Sequence, residues 1–206
     1  MNQFVEIFGN KLKGFWEEGS EIQEQLVAEV RQYAISNPQS FIQDLREVQF
    51  NKELSPLPIV LEALSTDTDN WGQFYVDTLG NIFDQATQVE RPQDVLNNLM
   101  EFAYIEKDHR PFVQSIVDRL YKETNSDHLS SKIAAIRALP DFFKNPSIRN
   151  KPAIIDSLQQ MLHDTNWKVR YVAFESLGWV DLVPAGHKVS FFDRLRKLVF
   201  GAPPTF

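Results

Sequence analysis

The 206-residue chain contains no cysteine. This absence excludes disulfides, thiolate nucleophiles, and zinc or iron–sulfur sites with cysteine ligands. Glycine is scarce at 8 residues, and no phosphate-binding or dinucleotide-binding fingerprint is present. The histidines form no local metal motif because they are scattered at His109, His128, His163 and His187. We therefore expect no metal, no cofactor and no enzymatic activity.

Long hydrophobic runs are also missing. A membrane-spanning helix needs about 20 consecutive apolar residues, and no stretch of the sequence approaches that length. The first residues lack the basic start and long apolar core of a secretory signal, and Glu6 interrupts them early. These features predict a protein without a transmembrane segment and with a cytoplasmic location.

Positive charge is in deficit. Lysine and arginine total 21 against 28 aspartates and glutamates, which gives a formal net charge of −7. Such a chain is repelled by phosphate backbones at long range, so we expect no nucleic-acid partner. Hydrophobic residues make up 43% of the chain, as in ordinary globular proteins, and this composition predicts a folded core.

The positive signal in the sequence is helical periodicity. Apolar residues recur at spacings of three and four almost throughout, whereas sustained alternation is absent, so the fold class is all-α. Short polar turns between the helices favour antiparallel hairpins. After two N-terminal helices separated by Asn37 and Pro38, further helices are expected at about 57–65, 71–87, 92–106, 111–123, 129–144, 150–163 and 167–180.

Two of these hairpins repeat each other at an offset of 38 residues. The offset superimposes Arg170 on Lys132, and it keeps the apolar stripe of both helices in register. A single hairpin cannot bury its stripe, so the repetition predicts stacked pairs. The matched apolar pairs are Ile116 with Ile154, Leu120 with Leu158, Ala135 with Ala173, and Leu139 with Leu177.

The segment from Asp164 to Gly178 carries a family resemblance. This segment is predicted to be a turn followed by a helix. Together with the helix before it, it forms a helix pair at residues 150–180 that resembles a HEAT repeat and is similar to the HEAT-like units first recognised in phycobilin lyase subunits. The resemblance implies a right-handed α-solenoid of antiparallel helix hairpins. It also implies a polar ladder through Asp164 and Arg170, and a core between repeats that contains Val169, Ala173 and Leu177. The preceding unit departs from the pattern, with serine at position 131 and lysine at position 132.

We expect residues 1–185 to form a single HEAT-like domain. Residues 1–19 would be its N-terminal capping helix, with an aromatic-rich face that includes Phe15 and Trp16. Residues 186–206 would form a separate C-terminal amphipathic helix and tail.

In that C-terminal helix, Ser190 and Asp193 suit a capping box and Gly201 suits a C-terminal cap. One stripe holds the apolar residues Phe191, Phe192, Leu195, Leu198 and Val199, and the basic residues Arg194, Arg196 and Lys197 lie off it. Two interpretations follow from this pattern. The helix either covers the apolar edge of the last repeat, or it docks on an acidic protein surface or an anionic membrane.

The function we expect is that of a non-catalytic protein-binding scaffold or adaptor, with protein partners. Exposed aromatics for such contacts are expected within the pairs Phe142–Phe143 and Trp179–Val180. Candidate partner-binding residues are Lys132, Arg137, Lys168, Phe191, Phe192, Arg194, Arg196 and Lys197. Two alternatives stay open, namely a lyase-like chaperone for a chromophore-bearing protein, and a peripheral membrane adaptor that uses both terminal helices.

Overall fold

The computed structural model of the protein describes residues 2–13 and 19–201. Within these ranges the chain is helical and contains no β-strand, which confirms the all-α class. The helices are α1 (Gln3–Lys13), α2 (Ser20–Ser36), α3 (Pro38–Val48), α4 (Leu57–Leu64), α5 (Thr68–Ala86), α6 (Pro92–Leu96), α7 (Pro111–Glu123), α8 (Leu129–Ala138), α9 (Lys151–Gln160), α10 (Trp167–Gly178) and α11 (Phe191–Phe200).

The first compact unit spans Met1–Trp71. In it α1 contacts α3, and α2 contacts α3 and α4. The apolar stripe of α1 is buried because Phe4, Phe8 and Leu12 follow one another by one helical turn and share a face. Phe4 meets the ring of Phe41 at a centroid distance of 5.9 Å. Phe15 and Trp16, the other aromatics expected on this helix, lie outside the described residues.

The second compact unit spans Gly72–Phe206, and α8 contacts α6, α7 and α10 within it. The apolar positions of the 38-residue repeat are all buried, at most 1% exposed, in α7 to α10 and in the turn of 3₁₀ helix that follows α8. This burial explains their pattern, since α8 packs against α7 and α10, and α10 also packs against α9. The right-handed solenoid and the single domain over residues 1–185 stay predictions.

Three of the predicted helices end early as α-helices, and the one expected over 150–163 becomes 3₁₀ helix over Met161–His163. The helix expected over 129–144 is α-helical to Ala138 and continues as 3₁₀ helix over Leu139–Lys144, because Pro140 has no N–H and its ring crowds the preceding turn. The helix expected over 92–106 changes at Asn97 into 3₁₀ helix over Asn97–Ile105. There the side-chain amide of Asn98 donates to the carbonyl of Val95 at 2.9 Å and competes with the regular α-helical pattern.

Candidate functional site

A polar ladder joins successive hairpins of the second unit. Lys132 on α8 donates from Nζ to Oδ2 of Asp164, in the turn before α10, at 3.2 Å. The other carboxylate oxygen of Asp164 accepts from the backbone N–H of Asn166 at 2.7 Å, and the side chain of Asn166 caps α10. Lys132 stands at the position that Arg170 holds in the following helix pair, and it still reaches Asp164 in the turn of that pair.

Arg170 on α10 forms the next step of the ladder, with Asp193 of α11. Its Nε and Nη2 donate to the two carboxylate oxygens of Asp193 at 2.9 and 2.6 Å, while Nη1 donates to the carbonyls of Asp164 and Thr165. The guanidinium holds the pKa of Asp193 below its usual range. A paired fork of this kind fixes orientation as well as distance, so it sets how α11 lies on α10.

A second contact lies one turn further along α11. The ammonium of Lys197 lies 4.6 Å from the ring centroid of Tyr171, hydrogen-bonds its hydroxyl, and lies 3.6 Å from a carboxylate oxygen of Glu175. Asp193 and Lys197 are four residues apart and therefore share one face of α11. The polar face of this helix is the one that meets the body of the second unit.

The apolar face of α11 consequently points into solvent. Asp193 is the single buried residue among the ten described residues of α11. The exposed apolar side chains are Phe191 at 73%, Phe192 at 71%, Leu195 at 44%, Leu198 at 82%, Val199 at 66% and Phe200 at 74%. The interpretation that this stripe covers the apolar edge of the last repeat is therefore wrong, since ion pairs turn the helix the other way. Ser190 caps the helix as predicted, because its Oγ accepts from the N–H of Asp193, while the Asp193 carboxylate bonds to Arg170, and Gly201 takes a positive φ of 79° at the C-terminal end.

A groove of about 410 Å³ opens on the same unit. It lies among the 3₁₀ segment Asn97–Ile105, the end of α8 with its 3₁₀ continuation, and the last turn of α10. Its apolar lining consists of Leu99, Met100, Ala103, Ala134, Ala138, Pro140 and Trp179, and its polar lining of Arg137, Asp141, Glu175 and Ser176. An apolar concave surface with a few polar groups is the usual form of a binding site.

Trp179 is the most exposed aromatic described on this surface, at 85%. It confirms the expectation of an exposed aromatic at 179–180, whereas Phe142 and Phe143 are both buried and that expectation is wrong. Met100 in the groove wall is 55% exposed. Tryptophan and methionine are both enriched at protein interfaces, tryptophan as a large rigid contact surface and methionine as a flexible side chain that adapts to its partner.

The charges of the groove are arranged around Arg137, whose Nη2 lies 3.5 Å from a carboxylate oxygen of Glu175. Asp141 adds a second carboxylate. Desolvation by the adjacent protein, followed by repulsion from Glu106, raises the pKa of Asp141 to about 6. Solvent nevertheless reaches more than a third of Asp141 and moderates this repulsion. Among the described residues of the lining, acidic groups therefore outnumber basic ones.

A smaller cavity of about 210 Å³ lies behind the Arg170–Asp193 pair, and its lining includes His163 and His187. These two rings contact edge to face at a centroid distance of 5.6 Å. No group of three potential metal ligands occurs among the described residues. Because the ion pair and the packed rings occupy this region, we interpret it as part of the attachment of α11.

The candidate residues expected from the sequence fall into two groups. Arg194 and Arg196 of α11 are exposed beside the apolar stripe, with Nη1 of Arg196 3.6 Å from a carboxylate oxygen of Asp193, and Lys168 is half-buried at the start of α10. Lys132, Arg137 and Lys197 instead make the ion pairs described above, so their charges are largely used within the chain. Sequence reasoning missed Met100, Asp141 and Glu175, because no local pattern shows that three separate segments meet in one groove.

No helix among the described residues has the length and hydropathy to cross a membrane. At the opposite end of the chain, Phe4, Phe8 and Leu12 of α1 are buried in the first unit. A membrane adaptor that uses both terminal helices would lack these three anchors in the folded state.

The HEAT repeat family model matches residues 154–178, which cover most of α9 and all of α10. Proteins built from such repeats generally act as protein-interaction scaffolds and typically lack catalytic activity. A comparison with curated proteins found no match, and neither did a comparison with solved structures. The resemblance to phycobilin lyase subunits has no further support and stays a prediction.

Proposed function

From the HEAT repeat at residues 154–178 and the groove beside it, we propose that this chain is a non-catalytic protein-binding module that holds a basic amphipathic segment of a partner. The observation that carries the proposal is one surface with an apolar lining, an exposed tryptophan and a carboxylate, Asp141, that stands apart from the ion pairs of Glu175 with Arg137 and Lys197. A helix that presents apolar anchors at i, i+3 and i+4 with basic flanks fits such a groove.

Charge selects the class of partner. A basic flank would approach Asp141, since Glu175 already pairs with Arg137 and Lys197, and the net charge of −7 would speed its approach to the protein. An acidic segment would be repelled by the net negative charge of the chain at long range and by Asp141 within the groove. The apolar lining would supply most of the affinity, because removal of apolar surface from water contributes about 25 cal/mol per Å².

The direct test uses two synthetic peptides that share one pattern of leucines on a helical face. One carries lysines at the polar positions and the other carries glutamates. Fluorescence anisotropy would measure the binding of each labelled peptide to the full chain with Leu198→Asp, which prevents competition from the exposed stripe of α11. We expect the lysine peptide to bind and the glutamate peptide to bind at least 10-fold more weakly, by about 1.4 kcal/mol.

One groove variant and one control variant complete this test. Trp179→Ala should weaken binding of the lysine peptide by about 30-fold, which is typical of an exposed tryptophan anchor at an interface. Ile35→Ala removes a half-exposed apolar side chain from the first unit and serves as the control, with no expected effect. Equal binding of both peptides, or binding that Trp179→Ala leaves unchanged, would contradict the proposal.

A further inference from the structure

The proposed function of the groove does not account for the exposed apolar stripe of α11. If each aromatic side chain is taken at about 200 Å², the five exposed apolar side chains of the stripe present on the order of 600 Å². The largest apolar patch on a typical monomer is about 300–600 Å². One side of a standard protein interface buries about 800 Å². The stripe therefore lies at the upper end of the patches found on monomers and supplies most of one side of a standard interface.

The attachment of α11 keeps this stripe away from the body of its own chain. Asp193 and Lys197 bond to Arg170 and Tyr171 on α10, so the opposite face of the helix is turned outward. Covering the stripe with the groove of the same chain would require these bonds to break. A second molecule can cover it with all of them intact.

The charge of α11 indicates which surface covers it. The helix carries Arg194, Arg196 and Lys197 against Asp193, whereas the whole chain carries −7, so the remaining surface is strongly acidic. Two α11 helices packed face to face would bring their arginines together. In the groove of another copy, the same arginines would approach Asp141, and the apolar stripe would meet Met100 and Trp179.

We propose that α11 of one copy binds in the groove of a second copy, so that the protein self-associates head to tail. This inference rests on the proposed function, because it names a second copy as the bearer of the basic amphipathic segment. The contact is heterologous, since it joins two different surfaces. Such contacts give rings when the rotation closes and open chains when it does not. Association would therefore not stop at an isologous dimer formed by two α11 helices.

The test uses two variants at exposed positions, each of which disables one half of the contact. Leu198→Asp places a charge in the stripe, and Ala103→Arg places a bulky cation in the groove. Sedimentation velocity of the full chain over a range of concentrations would give the mass of each species. We expect the unchanged chain to self-associate, and each variant alone to be monomeric with an apparent Kd raised by more than about 30-fold.

An equimolar mixture of the two variants decides the geometry. It retains one intact stripe and one intact groove, so we expect a 1:1 dimer that does not grow further. Self-association of Ala103→Arg alone, with Leu198→Asp staying monomeric alone and in the mixture, would overturn the proposal in favour of pairing between two α11 helices. A monomer under all conditions would overturn it in favour of another occupant of the stripe.

Two further measurements separate this inference from the proposed function. If the lysine peptide binds the groove but the unchanged chain stays monomeric, the self-association fails and the proposed function survives. If neither occurs, both fail. A monomer that floats with vesicles of phosphatidylserine and phosphatidylcholine, and loses flotation on Phe192→Asp, would assign the stripe to a lipid surface and overturn the inference.

Discussion

Arg170 and Asp193 form two parallel hydrogen bonds of 2.9 and 2.6 Å, and this pair attaches α11 to α10 through a polar face. Asp193 is buried although it is charged, whereas most apolar side chains of the same helix are exposed. The usual arrangement of an amphipathic helix is thus reversed. The reversal matters for function, because it leaves a large apolar stripe available to another molecule.

Asp193→Asn should release α11 from the body of the protein. The substitution removes the charge that Arg170 requires, and a charge-assisted hydrogen bond contributes about 1.5–3 kcal/mol. Hydrogen exchange of residues 190–201 should become faster by at least about 10-fold, while exchange in α8 and α10 stays the same. Asp181→Asn, at an exposed aspartate, is the matched control and should leave all rates unchanged. Unaltered exchange in α11 after Asp193→Asn would refute this role of the pair.

Low pH should also release α11 from the body of the protein in the chain without substitutions. The pKa of Asp193 is lowered in the folded state by Arg170, so the pair stabilises the attachment above the ordinary aspartate pKa of about 3.9. That contribution is lost as the pH falls below about 3.9 and through the lowered pKa. Exchange rates of α11, corrected for the intrinsic effect of pH, should rise in this range. An attachment that weakens between pH 6 and 8 would point to a different group.

The groove should bind a basic peptide more tightly at pH 7.5 than at pH 5. The pKa of Asp141 is raised to about 6, so its carboxylate becomes charged over this interval, beside Glu106, Arg137 and Glu175. We expect affinity for the lysine peptide to increase about 2- to 5-fold, the size of an exposed ion pair. In Asp141→Asn the pH dependence should disappear. A profile that is unchanged in this variant would assign the titration to another residue.

Ala173→Glu should unfold the second unit or weaken it severely. Ala173 is fully buried on α10, and an unpaired carboxylate there should cost at least about 4 kcal/mol. Urea denaturation would measure the free energy of unfolding. Ala185→Glu places the same group at an exposed position and should change stability by less than about 0.5 kcal/mol. Equal stability of the two variants would contradict the packing of α10.

Gly72→Ala should destabilise the protein through overpacking. A Cβ at this position would lie 2.6 Å from Cδ1 of Phe112, well inside van der Waals contact, so the ring must move. We expect a loss of about 1–3 kcal/mol in the free energy of unfolding. Phe112→Leu should recover part of this loss in the double variant, and a double-mutant cycle would measure the coupling. Additive effects would show that the two residues do not contact.

The sequence alone determined the helical class and the repeat. Apolar residues at spacings of three and four define one face of each helix, and that face must be buried wherever the helix packs. Ile116, Ile154, Ala135 and Ala173 are buried for this reason. The caps of α11 at Ser190 and Gly201 were also predictable, because capping depends on residues within one turn of the helix end.

Only the tertiary structure decided which face of α11 meets the protein and where the groove lies. The orientation of α11 depends on Arg170 and Asp193, which are 23 residues apart and whose pairing no local pattern encodes. The groove depends on three segments from separate parts of the chain. Periodicity therefore identifies an apolar face, but which face of the helix meets the protein is set by contacts distant in sequence, here the charged pairs on the opposite face of α11.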